Sequence, residues 1–214
     1  MSVGWLFLLA SLIFCMGAFS LLGLPAGMEW IKFKWGARLN VDYAPLQLEI
    51  DSAEPLMFVR QDYTWRVIPR AGYRISARVL QRTVYDDWQA DFSPVDLALG
   101  WGFMSDPAVD KWVDVRQADR WYFYRKDKNA PFSLDDIRSS SANVHIIPAD
   151  EAVAAVVREL RPNDVVLMDG KLVDVEVERF GERFHFQTSL TRMDSDDNSC
   201  EIFYVERVIV GSVD

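Results

Sequence analysis

Ser141, His145 and Asp150 follow one another at intervals of four and five residues, and Cys200 stands further along the chain. A histidine held by a carboxylate can act as a general base, and a hydroxyl or thiol beside it becomes a nucleophile. Two arrangements can be written from these residues: Ser141–His145–Asp150, or Cys200 with His145. No G-x-S-x-G elbow exists to place a serine nucleophile, so spacing alone fixes no geometry. The competing role for His145 is a buried ring bonded to backbone beside the helix that follows it. His185 alternates with Arg183 and Gln187 and reads as solvent-facing.

Two histidines and two cysteines exclude a His-rich or Cys-rich metal centre, and no phosphate loop or dinucleotide fingerprint occurs. No metal or cofactor is therefore expected. The run Asp194-Ser195-Asp196-Asp197-Asn198 offers alternate oxygen ligands. An EF-hand loop starting at Asp194 would need Gly and Glu where Ser199 and Val205 stand, so a polar loop is the better reading. Asp86, Asp87, Asp91, Asp96 and Asp106 form a second acidic group, in which Asp96 and Asp106 read as helix-start residues. Aromatic residues crowd between 88 and 124. Of these, Trp101, Trp112, Trp121, Tyr122 and Tyr124 are candidate binding residues, set against plain core packing.

These groups must be carried on a chain of 214 residues, enough for one domain with a small appendage. Lys and Arg total 23 and Asp and Glu 32, a net charge of −9, which argues against a nucleic-acid partner. The first charged side chain is Glu29, and Val3–Pro25 is an uncharged run of 23 residues. A helix of that length spans a hydrocarbon core of about 30 Å, so residues 1–28 read as a transmembrane anchor in the bilayer. A cleaved signal peptide, with Ala18-Phe19-Ser20 at the cleavage site, is the rival reading. No Lys or Arg precedes the apolar run, which disfavours it. Lipoprotein processing at Cys15 would place Phe14 where a small residue is needed. Lys32, Lys34 and Arg38 favour a cytoplasmic C-terminal part, yet large domains can translocate regardless of charge, so the side of the membrane stays open.

Residues 29–56 read as a stem and 57–214 as a single α+β domain, mainly antiparallel β, barrel- or sandwich-like, with short helices. Residues 57–69 and 72–85 have strand composition, with a turn expected at Pro69–Gly72. Tyr73, Ile75, Ala77 and Val79 share one face, and the arginines opposite read as solvated. Ser93-Pro94-Val95-Asp96 predicts a short helix start, as do Asp106-Pro107 and Ser133–Asp136. Residues 113–126 read as a strand. Val153, Val156, Val157 and Leu160 have helical spacing after Asp150. Beyond it a meander is expected, turning at Asp169-Gly170 and again near Gly181, with residues 200–210 as its last strand. Val173, Val175 and Val177 face inward there, and Asp174, Glu176 and Glu178 outward.

The segments FSPVDLALGWGFMSD, SSSANVHIIPAD and TSLTRMD…CEIFYVE resemble an uncharacterised bacterial family of small single-span membrane-anchored proteins. The resemblance covers most of residues 73–206 and implies an N-terminal anchor and one compact domain, with no site residue carried over. The functional expectation is a non-catalytic binding or assembly domain in the cell (inner) membrane, meeting a membrane or membrane-proximal protein. The alternative is an anchored hydrolase with His145 as general base.

Overall fold

The computed structural model describes residues 37–51, 53–60, 63–191 and 200–213, all within one unit that runs from Ile31 to Asp214. The expected anchor, the Asp194–Asn198 loop and Cys15 lie outside the described residues. Among the described residues no helix is long and apolar enough to cross a membrane.

The structure is mostly β-sheet, 55% strand, with few short helices. In chain order the strands are β1 (Arg38–Leu39), β2 (Leu46–Leu48), β3 (Leu56–Arg60), β4 (Tyr63–Val84), β5 (Val95–Gly100), β6 (Val113–Ala118) and β7 (Trp121–Lys126). Helix α1 (Leu134–Ser139) precedes β8 (Ser141–Pro148), and α2 (Glu151–Glu159) precedes β9 (Val165–Arg179), β10 (Glu182–Phe186) and β11 (Glu201–Val213). Five of the strands pair in a closed ring, β4–β5–β8–β11–β9 and back to β4. All neighbours in it are antiparallel except β8 and β11. The residues expected as stem contribute β1, which pairs with β11, and β2, which pairs with β4.

Bulges let such long strands bend. Register shifts fall between Pro69 and Ala71, between Val79 and Gln81, and between Val205 and Arg207. Each leaves one extra residue on the bulged strand and sharpens its twist. This corrects the turn expected at Pro69–Gly72. Proline cannot donate to a ladder, but at a bulge none is required, so β4 continues for 22 residues.

The expected hairpin at Asp169-Gly170 is also overturned, because β9 runs straight through it. Asp169 is opposite Arg74 on β4 and Arg207 on β11 and forms ion pairs with both. Gly170 is needed for close approach and not for a turn. A Cβ there would lie 2.0 Å from the Tyr204 carbonyl oxygen on β11. The true turn comes at Phe180 and Gly181, both at positive φ (51° and 81°), where the second turn was expected.

The short helix expected after Ser93 is instead β5. Over only six residues, alternation fits equally well: Val95, Leu97 and Leu99 join the main core. Asp96, Ala98 and Gly100 therefore take the other face. The single strand expected at 113–126 is a hairpin, β6 with β7, turning at Asp119 and Arg120, both at positive φ (51° and 66°). The other helix starts hold. Ser133 and Asp136 form a capping box on α1, and Asp106 caps a 3-10 turn at Pro107–Lys111. On α2, Asp150 accepts from the backbone of Ala152 and Val153.

The main core unites inward residues of all five ring strands, among them Ile75, Leu97, Ile146, Met168 and Phe203, with Val153, Val156, Val157 and Leu160 of α2. The faces of β4 and β9 are less simply polar than alternation implied. Arg78 is buried, held by Asp110 (2.7 and 2.9 Å), Asn163 (2.8 Å) and the Met104 carbonyl (3.1 Å). Asp174 is buried under the Thr188 amide, which it accepts at 3.0 Å.

Candidate active site

Register places the site. Asp96 on β5 stands directly opposite His145 on β8, and His145 is opposite Ile202 on β11. Val144 and Ile146 turn into the core, so His145 must turn out of the ring together with Asn143 and Ser141. Asp96 is 0% exposed, yet its Oδ1 lies 2.8 Å from His145 Nδ1. His145 itself is 18% exposed. Arg120 reaches the same carboxylate oxygen at 3.8 Å.

Cys200 lies just ahead of β11. Its thiol is within hydrogen-bonding reach of the His145 imidazole and accepts from Asn143 Nδ2 at 3.6 Å. Nδ1 is committed to Asp96, so Nε2 is the ring nitrogen left for the thiol. Burial by itself would lower the pKa of His145. The hydrogen bonds to Asp96 and Cys200, and the charge of both, outweigh it and raise the group from 6.5 to about 9. Burial, followed by the charge of Asp96, pushes the Tyr85 phenol up to about 12.

Arg120 anchors the hairpin over the site. Its guanidinium binds Asp87 (2.7 Å) and the Ser93 carbonyl (3.1 Å) and lies over the Tyr85 ring at 4.1 Å, while its amide donates to the Tyr85 hydroxyl. A non-glycine residue at φ 66° costs energy that surrounding contacts must offset, and these contacts do so.

A cleft of about 400 Å³ opens onto His145 and Cys200. Gln89 from the β4–β5 connection, the Asp119–Trp121 tip of the β6–β7 hairpin, the His185–Gln187 stretch at the end of β10, and Ile202 complete its walls. A recess of about 50 Å³, lined by Phe92, Phe186, Ile202 and His145 among others, adjoins it.

The structure thus brings together His145 and Cys200 and leaves Ser141 and Asp150 elsewhere. Ser141 Oγ donates to the Ile137 carbonyl (2.7 Å) and bonds the Tyr122 hydroxyl (2.9 Å). Asp150 is the cap of α2. Among the aromatic candidates, Trp101 is buried in the main core. Trp112 and Tyr124 pack on a satellite cluster around Met104 and Ile137. Tyr122 faces Ser141, and burial pushes its phenol up. Trp121 alone of the five is exposed, 40%, and Phe123 beyond it is 53% exposed. His185 is half-exposed at the rim.

Sequence reasoning missed Asp96, Asn143 and Arg120. Asp96 was assigned to a helix start, although its alternation with Val95 and Leu97 was the available signal. The order carboxylate–imidazole–thiol has a definite chemical capacity. The carboxylate fixes ring orientation and tautomer, and an imidazole so held is able to accept a proton from a nucleophile in the cleft. No family model, no curated protein and no solved structure matches the chain.

Proposed function

We propose that this chain is a membrane-anchored binding domain that receives a protein partner across the cleft between the β6–β7 hairpin and β10. The uncharged run 3–25 supports single-pass anchoring in the cell (inner) membrane. The ring order, the parallel β8–β11 pair and a helix between the third and fourth ring strands match the connectivity of OB-type barrels. In those barrels ligands lie on strands two and three between the first and last connecting loops. Here the equivalent elements are β5, β8, residues 85–94 and residues 180–191, and the cleft opens among them. This is a fold-level analogy, and the site itself must carry the function.

The observation that carries the reading is the exposure of Trp121, 40%, in the wall of that cleft, and of Phe123, 53%, two residues further along β7. Large aromatics left in solvent at the rim of a concavity are characteristic of interface cores. They are flanked by charge: Arg116 is opposite Phe123, and Arg125 pairs with Asp114. A net charge of −9 disfavours a polyanionic ligand, which leaves a polypeptide surface as the better fit.

Two measurements test this. Carbonate washing should leave the intact chain in the membrane pellet. A photo-reactive residue placed at 121 or 123 should give one discrete cross-linked species in cells, and the same probe at Tyr43, 75% exposed, should give none. Release by carbonate would overturn the anchor. Equal, diffuse cross-linking at all three positions would overturn the binding face.

A further inference from the structure

The arrangement of Asp96, His145 and Cys200 has chemical consequences of its own, beyond the shape of the cleft. A fully buried carboxylate is bonded to an imidazole at 2.8 Å, and a thiol held by Asn143 at 3.6 Å lines the same solvent-connected cleft as the ring, which gives each group a separate role. We infer that Cys200 is a nucleophile for acyl transfer, with His145 as its acid–base partner and Asp96 as the residue that positions His145. The inference rests on the same cleft as the binding reading and makes that cleft a catalytic one.

The groups facing His145 from each packed element agree with this. Asp96 comes from β5, Arg120 from the hairpin turn, Cys200 from just ahead of β11, and His185 from β10, while Tyr85, just after β4, faces Asp96. Arg120 is already paired with Asp87, and His185 stands at the rim. Among the described residues, the Asp96 carboxylate is the anion whose hydrogen bond fixes the ring, and the Cys200 thiol is the nucleophile that shares its cleft. Asn143 Nδ2, 3.6 Å from Sγ, donates toward the negative charge on sulfur.

The step balances without a cofactor. The Cys200 thiolate attacks the carbonyl carbon of an ester or thioester and a C–S bond forms. The leaving group departs with the electron pair of the broken bond and takes the proton from His145 Nε2. Water then gives a proton to the neutral ring and attacks the acyl-enzyme. The C–S bond breaks, and the thiolate–imidazolium pair returns. Ester and water become acid and alcohol. The adjoining recess of about 50 Å³, with Phe92, Phe186 and Ile202 in its wall, suits a short apolar acyl group.

The test uses the full chain in detergent with Cys15 replaced by Ala, so that Cys200 reports alone. Iodoacetamide alkylation is followed from pH 5 to 10, and p-nitrophenyl acetate is the acyl probe. Alkylation of Cys200 at pH 7 is expected to run at least about tenfold faster than that of free cysteine. His145→Gln and Asp96→Asn should slow it toward the free-cysteine rate. The acetate ester should give a stoichiometric burst of p-nitrophenolate and an acetyl group mapped to Cys200. Cys200→Ser should abolish both, and His145→Gln should slow acylation about 100-fold. Circular dichroism melts establish that the variants fold. If His145→Gln does not fold, the alkylation rate of the parent protein decides alone, and one equal to that of free cysteine overturns the proposal. Absence of acetyl-Cys200 with accelerated alkylation overturns acyl transfer as the chemistry. None of these readouts needs a partner, so loss of cross-linking at Trp121 with intact acylation would remove the binding reading and leave this one.

Discussion

Replacing Asp96 by Asn keeps the size of the side chain and removes its charge, which isolates what the carboxylate does for His145. In the folded protein the imidazole is held at about 9 against 6.5 for an ordinary histidine, against the pull of burial. At about 1.4 kcal/mol per tenfold change, this difference stabilises the folded state by about 3 kcal/mol while the ring is protonated in both states. Because the folded value is raised, that stabilisation is complete below pH 6.5. It declines as pH rises through 6.5 to about 9 and is absent above. Asn can still accept from Nδ1–H but offers no charge, so in Asp96→Asn a weaker neutral hydrogen bond and the Cys200 contribution are left to raise the ring against burial. The expected decline from pH 6 to 9.5 therefore falls from about 3 kcal/mol to about 1 kcal/mol or less. Urea melts of a fragment beginning at residue 31, run under reducing conditions at pH 6, 7.5 and 9.5, measure it, with Cys200→Ala separating the thiol's share. A parent protein equally stable at pH 6 and 9.5 would refute the argument. So would a variant that keeps the full decline.

Three further outcomes follow from the packing. Gly170→Ala should destabilise the same fragment by about 2 kcal/mol or more in urea melts, because the added Cβ meets the Tyr204 carbonyl at 2.0 Å. A change under about 0.5 kcal/mol would mean that β11 gives way easily. Glu176→Gln breaks the Arg66–Glu176 pair, whose members are 41% and 43% exposed, and should change stability by no more than about 0.5–1 kcal/mol. Asp150→Ala should cost about 1 kcal/mol through loss of the α2 cap, with the alkylation profile of Cys200 unmoved. A shifted profile would restore Asp150 to the site.

What could be read from sequence divides by range. Helix α2 was legible because four apolar residues at helical spacing and an N-terminal Asp are local facts. So were the capping box at Ser133 and the turn at Gly181. The turns expected at Pro69–Gly72 and Asp169-Gly170 were misread for one shared reason. Gly and Pro break short strands, but β4 and β9 are 22 and 15 residues long and absorb them at a bulge and at a close crossing. Strand lengths depend on neighbours far away in sequence, and local composition does not encode those neighbours.

The site shows the same division and adds an energetic argument. His145 and Cys200 could be named from residue type, but the partner of His145 is 49 positions away and is fixed only by the register of β5 on β8. A buried carboxylate contributes nothing to an apolar core and is costly to desolvate. Replacing a buried ion pair with apolar residues of similar volume is often neutral or stabilising, so stability alone gives Asp96 and His145 little reason to occupy adjacent strands. The surrounding chain also carries strain to cover them, with Asp119 and Arg120 both at positive φ above the cleft. Local rules broken at one place are expected where a fold holds reactive groups. Here the broken rules converge on the thiol of Cys200.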